Sequence, residues 1–213
     1  MKALADCRLY TFVDTGYLRG RDPAAVARQL CDGGSDLIQL RAKGQSLDEV
    51  RRLAEAILPV VRKAGVGLVV NDHLSVAQTI GAELCHLGQE DFFDAGYTHV
   101  SQLMPAGSQL RLGLSTHAPA EAARAVAAGA EYVAIGPIYA TGTKPTAKPV
   151  TLEYVRWAAT NLTLPWFAIG GINLQTLDDV LAAGARRICV VSAILDAPDV
   201  ARRCEEFRRR LPD

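Results

Sequence analysis

The sequence has no excess of either charge: 23 lysines and arginines stand against 23 aspartates and glutamates in 213 residues. No net field draws it to nucleic acid or to an anionic membrane, so an anionic ligand would have to be met by local charge. No apolar run approaches the roughly 18 residues of a transmembrane helix. The opening Met1-Lys2-Ala3-Leu4-Ala5-Asp6 lacks the apolar core of a signal peptide. A cytoplasmic protein with neither nucleic-acid nor membrane partners is therefore expected. There is no Cys-x-x-Cys. The five cysteines, at 7, 31, 85, 189 and 204, are odd in number and mostly in apolar contexts, which reads as buried reduced thiols. No Gly-x-Gly-x-x-Gly follows the first apolar run, and the spacing yields no Ser-His-Asp set, Cys-His pair or paired general acid and base.

What is present is repetition. Eight apolar, β-rich runs recur at 8–13, 37–40, 66–70, 84–87, 110–114, 132–135, 166–169 and 188–191. Most are followed by stretches with apolar spacing near 3.6, at 22–31, 46–63, 119–128, 152–159, 173–183 and 200–210. Ser46-Leu47-Asp48-Glu49 has the form of a capping box, and Asn173 and Asp199 are placed to start helices. Glycines 33, 65, 81, 129 and 184 close helical patterns. Strands alternating with helices imply a parallel sheet covered on both faces. Eight units in this length fit an α/β fold of one domain, a (β/α)8 TIM barrel spanning residues 1–213. A doubly wound open sheet is the alternative. The fourth unit is the weakest, with only a short helical pattern near 100–103.

In such a barrel, out-of-place polar residues at the strand ends mark the site. The second run ends Gln39-Leu40-Arg41-Ala42-Lys43, and period two puts Gln39, Arg41 and Lys43 on one face. A strand buried on both faces would need a partner for each, and two cations at the mouth suggest a polyanion. The third run ends Asn71-Asp72-His73 and the fourth ends Gly88-Gln89-Glu90-Asp91. Each carboxylate could cap a helix; together they could hold a hard divalent ion. Ser115, ending the fifth run, could bond a ligand or cap the next helix. His117 reads as structural, His86 as core and His99 as surface. After the sixth run comes the polar loop 136–144, with Thr141, Gly142, Thr143 and Lys144. The seventh run leads to Gly170-Gly171 and the eighth to Val191-Ser192, where barrels commonly bind phosphate. Two anion sites follow, one assisted by metal and one not. The chemistry would be electrostatic, a leaving pyrophosphate held by Mg2+ and by catalytic Arg41, Lys43 and Lys144.

From about residue 7 to 195 the sequence resembles the thiamine phosphate synthase family. The likeness is carried by Gln39-Leu40-Arg41-Ala42-Lys43, Asn71-Asp72, His86-Leu87-Gly88-Gln89-Glu90-Asp91, Gly113-Leu114-Ser115-Thr116-His117, loop 136–144, the Ala168-Ile169-Gly170-Gly171-Ile172 stretch and Val191-Ser192-Ala193-Ile194. The resemblance implies a transferase that joins a hydroxymethylpyrimidine diphosphate to a thiazole phosphate and releases pyrophosphate. It implies that Gln39, Leu40, Arg41, Ala42, Lys43, Asn71, Ser115 and Lys144 take the pyrimidine diphosphate. It implies that Thr141, Gly142, Thr143, Gly170, Gly171, Val191 and Ser192 take the thiazole phosphate, and that Asp72 and Asp91 hold Mg2+ as cofactor. Three positions depart from the family pattern: Ala42, where an acidic or polar residue is commoner; His73, where arginine often follows Asn-Asp; and Ala140, in place of proline. The rival is the related thiazole tautomerase, which needs no diphosphate site and could use His117 as acid or base. A phosphate-ligand binding protein without turnover is the non-enzymatic alternative. The oligomeric state is left open, with a homodimer among the states allowed.

Overall fold

Both faces of every strand are covered, which is why the strands read as nearly continuous apolar runs. The computed structural model describes residues 1–104, 107–143 and 146–212. Its strands are β1 (Leu9–Asp14), β2 (Leu37–Arg41), β3 (Gly67–Asn71), β4 (Leu84–Leu87), β5 (Arg111–Thr116), β6 (Tyr132–Ile135), β7 (Trp166–Ile169) and β8 (Ile188–Cys189). All pairs are parallel and in chain order, and β8 closes onto β1 through Leu9 beside Ile188 and Tyr10 beside Cys189. Closure leaves no sheet edge, as expected of a (β/α)8 barrel.

The helices are α1 (Thr15–Leu18), α2 (Pro23–Asp32), α3 (Leu47–Ala64), α4 (Leu74–Ile80), α5 (Pro119–Ala127), α6 (Thr151–Asn161), α7 (Leu177–Ala182), α8 (Ser192–Leu195) and α9 (Val200–Arg210). Ser46 starts α3 by accepting the Glu49 N–H, but Glu49 turns its carboxylate to Arg52 instead of completing the capping box. Asp199 caps α9 through the Arg202 N–H. Three expectations shift. Asn173 holds an Asx turn through the N–H groups of Gln175 and Thr176, so α7 starts only at Leu177. β8 stops at Cys189 because the chain bends at Val191 into α8. Between β4 and β5 the described residues form no α-helix, only a wide turn at Glu90–Asp94 and a 3-10 turn at Val100–Gln102. There Phe92 is fully buried edge-on to Phe93, and Arg124 lies over the Phe93 ring, so both phenylalanines pack the rim.

Strand alternation sorts the core into two shells. Leu9, Val13, Leu40 and Val70 face the helices, while Tyr10, Tyr132 and Phe167 point inward and fill the barrel with edge-to-face rings. At the amino-terminal end of the barrel the Asp36 carboxylate accepts from Lys2 and from the N–H groups of Arg8 and Leu9. Burial pushes that carboxyl up, but these bonds outweigh it and hold it below the usual carboxylate range.

Candidate active site

At the carboxyl-terminal mouth lies a cavity of about 890 Å3, counting the part open to solvent. The inward positions of β2 deliver Gln39 and Arg41 to it, β3 delivers Asn71, and β5 delivers Ser115. From the opposite side come Thr141 and Thr143, Gly170 and Gly171, and Val191 and Ser192. The structure thus gathers most of the expected ligand residues around one space. Leu40 and Ala42 point the other way, into the core, and do not line it. Gly142 is exposed at the loop tip. Lys144 lies outside the described residues.

Arg41 is fixed by a residue that the sequence reading passed over. Its Nη1 donates to Asp14 Oδ2 at 2.7 Å, and Asp14 is almost fully buried while also accepting the Gly16 N–H at 2.9 Å. An aspartate ending an apolar strand, at the same level as Arg41 in the β1–β2 register, was the available signal. A desolvated pair of this kind is costly to break from either side.

Lys43 stands beyond the end of β2, mostly exposed, and its Nζ meets Asp72 Oδ2 at 2.6 Å. Asp72 follows β3 in the left-handed region, φ 63°, with its N–H donated to the His86 carbonyl. A non-glycine residue held there is strained, and such strain concentrates at functional positions. Asp91 comes from the wide turn after β4, where its carboxylate accepts the Gly88 N–H. Its pKa is raised, first by burial and then by the Asp72 charge. Among the described residues no group of three or more His, Cys, Asp or Glu side chains converges. The Asp72–Asp91 pair was the donor set expected from the sequence. Two adjacent carboxylates, one resisting ionisation, fit Mg2+, which takes one or two carboxylates and completes its shell with water and phosphate oxygens.

The opposite wall contains no charged side chain among its described residues and works through backbone and hydroxyls. Gly170 and Gly171 have φ of 102° and 66°. A Cβ on Gly171 would lie 2.7 Å from Tyr139 Cβ and 2.8 Å from the Ala140 carbonyl oxygen, so only glycine lets the β6 and β7 loops close together. Thr143 also touches the β1 loop through the Tyr17 hydroxyl at 3.1 Å.

Two histidines have partners that the sequence does not show. His86 is buried, as anticipated, yet lines the cavity and bonds Ser115 Oγ at 2.9 Å and the Tyr132 hydroxyl at 3.0 Å. Ser115 therefore caps no helix; α5 has no side-chain cap. A Ser–His contact thus does exist, but the third member is a phenol that burial holds well above its usual pKa. A neutral phenol cannot stabilise an imidazolium as a carboxylate would, so this is no nucleophilic triad. His117 is oriented by Glu121 Oε2 at 3.0 Å, a partner one helical turn away. The five cysteines are all free thiols. Burial pushes Cys85 up to about 12 and Cys189, against the cavity, well above its ordinary value, so neither is a nucleophile at neutral pH.

A family model for thiamine monophosphate synthase matches residues 9–194. The chain is 46% identical to the thiamine-phosphate synthase of Thermus thermophilus over 180 residues, 84% of each chain. To that of Acidothermus cellulolyticus it is 43% identical over 214 residues, 99% of this chain and 98% of the relative. Among solved structures it matches a thiamine phosphate pyrophosphorylase from Pyrococcus furiosus with a TM-score of 0.84 and 26% identity, covering 98% of this chain and 96% of that one. A 3-hexulose-6-phosphate synthase, at 18% identity and TM-score 0.66, shares the fold alone.

Proposed function

The chain belongs to the thiamine monophosphate synthase family, a family of transferases, and on that premise we propose that it couples a 4-amino-5-hydroxymethylpyrimidine diphosphate to a thiazole phosphate. The observation that supports this reading is one cavity with two unlike walls, the Arg41 guanidinium among amide and hydroxyl side chains on one side and glycines with hydroxyls on the other. Arg41, aimed by Asp14, and Lys43 meet the diphosphate, with Lys144 as a third cation. Gln39, Asn71 and Ser115 take the pyrimidine. Thr141, Thr143, Gly171, Val191 and Ser192 hold the thiazole phosphate, so the ring nitrogen faces the pyrimidine methylene. The methylene C–O bond breaks and its electron pair leaves with pyrophosphate; the thiazole nitrogen lone pair then forms the new C–N bond. No described side chain is needed as nucleophile or base, and the inert cysteines and the protonated Tyr132 phenol accord with that. Mg2+ at Asp72 and Asp91 supplies positive charge to the departing diphosphate when bound.

The test is pyrophosphate release from the pyrimidine diphosphate, with and without thiazole phosphate, in Mg2+ and then in excess EDTA. Release that needs both substrates and the metal is expected. Tautomerisation of the thiazole with no pyrophosphate released would overturn the reading in favour of the sister activity, and binding without turnover would make the protein a phosphate-ligand carrier.

A further inference from the structure

Beneath the cavity runs a chain of hydrogen bonds that the coupling step does not use. Gln39 Nε2 donates to the Tyr10 hydroxyl at 2.5 Å, and the Tyr10 and Tyr132 hydroxyls lie 3.1 Å apart. The Tyr132 oxygen is 3.0 Å from His86 Nδ1, and His86 Nε2 is 2.9 Å from Ser115 Oγ. The two ends, Gln39 and Ser115, both line the cavity. Space for the chain is provided at Gly113, where a Cβ would sit 2.1 Å from the Tyr132 ring. Both tyrosines are buried, and burial raises both phenols well above their ordinary value, so each keeps its single proton at neutral pH.

Each hydroxyl has one proton to give, so the chain can be polarised in one direction or the other. Gln39 donates to Tyr10, so the Tyr10 proton goes to Tyr132 and the Tyr132 proton to His86 Nδ1. With Nδ1 accepting, the ring proton sits on Nε2 and is donated to Ser115. The Ser115 hydroxyl has accepted, and its own proton is left for the cavity. At the other end Gln39 Oε1 accepts no bond among the described residues and stays available to a donor. We infer that this polarised chain presents an acceptor at Gln39 and a donor at Ser115, and so selects an aminopyrimidine over its 4-oxo counterpart. An exocyclic amine beside an unprotonated ring nitrogen matches that pattern. A 4-oxo group beside a ring N–H opposes it at both points and leaves polar groups facing their like. Tyr10, Tyr132 and His86 are positioning residues; they act on the substrate only through Gln39 and Ser115. The inference rests on the proposed pyrimidine diphosphate as substrate.

Three measurements test it. Nitrogen NMR on 15N-histidine protein, with His86 assigned by elimination through variants of the other three histidines, should show Nε2 protonated and Nδ1 bare; the opposite tautomer reverses every bond and overturns the inference. Calorimetry with the 4-amino and 4-oxo pyrimidine diphosphates should show discrimination of about 100-fold or more in the wild type. In Tyr132→Phe, which keeps the ring packing, the ratio should fall about tenfold, with affinity for thiazole phosphate unchanged. An unchanged ratio in folded Tyr132→Phe, or no discrimination in the wild type, would overturn it. If the variant does not fold, the wild-type tautomer and binding ratio decide. Selective binding of the amino diphosphate without pyrophosphate release would sink the proposed coupling and leave the chain's role standing.

Discussion

The two ends of the barrel use the same residue type to opposite effect. At the closed end Asp36 is surrounded by donors, with Lys2 and two backbone N–H groups on its oxygens and Arg208 3.9 Å away, and its charge is stabilised despite burial. At the open end Asp91 sits beside Asp72, a second carboxylate held in a left-handed conformation, and its charge is disfavoured. The first arrangement is complete without a ligand. The second has unspent capacity for a cation. The left-handed Asp72 and the disfavoured charge of Asp91 both lie where the chain leaves the strands, the end at which barrel enzymes place their sites.

The contrast is broken most severely by Asp91→Asn. Removing one of two carboxylates should lower turnover by about 10²–10³-fold, and a rise in melting temperature with Mg2+, expected of the wild type, should be lost. Pyrophosphate release and calorimetric scans with and without Mg2+ check both, and an active, Mg2+-stabilised variant would remove Asp91 from the metal site. Next in size is Gly171→Ala on the uncharged wall. The left-handed φ and the approach to Tyr139 and Ala140 leave no room for a methyl, so the β6 loop must move. The KM for thiazole phosphate should rise by about 10–100-fold, with that for the pyrimidine diphosphate nearly unchanged; equal rises would mean that the walls are not separate. Smaller again in its effect on turnover is Asp14→Asn, which keeps a hydrogen-bonding group beside Arg41 but removes its counter-charge, and which should also lower stability. A loss of about tenfold in kcat/KM for the pyrimidine diphosphate is expected, while Asp36→Asn, at the other end, should lower stability and leave kcat/KM intact.

The closed end and the strand ends were legible in the sequence to different degrees. Eight apolar runs sufficed for the barrel because each strand is buried on both faces, and Gln39, Arg41 and Asn71 stood out as polar interruptions of those runs. Asp14 did not, because a lone aspartate after a strand is usually a cap, and Asp14 does accept the Gly16 N–H. His86 was read only as core; that Tyr132 and Ser115 meet it depends on β4, β5 and β6 being neighbours, and spacing along the chain cannot show this. Leu40 and Ala42 share a motif with Gln39 and Arg41, yet strand alternation turns them outward. Helices α1, α4 and α8 escaped because four to seven residues are too few for a helical period to declare itself.

The least disruptive test is the pH dependence of stability in EDTA, and here the two carboxylates must differ in sign. Asp36 has a folded pKa below the ordinary 3.8, so its stabilisation is fully present above 3.8 and is lost as pH falls through the lowered folded value. Asp91 has a folded pKa above 3.8, so the native state binds its proton more tightly than the unfolded chain does. Its contribution therefore declines as pH rises from 3.8 through the raised value, and at neutral pH the ionised group weakens the fold. The windows lie on opposite sides of 3.8. Urea unfolding of wild type and Asp91→Asn should give equal stability at the acid end and a modestly more stable variant at pH 7, the difference shrinking when Mg2+ replaces EDTA for the wild type. A wild type that is the more stable at pH 7 without metal would mean that the Lys43 charge already satisfies the pair, and that the open end is as complete by itself as the closed one.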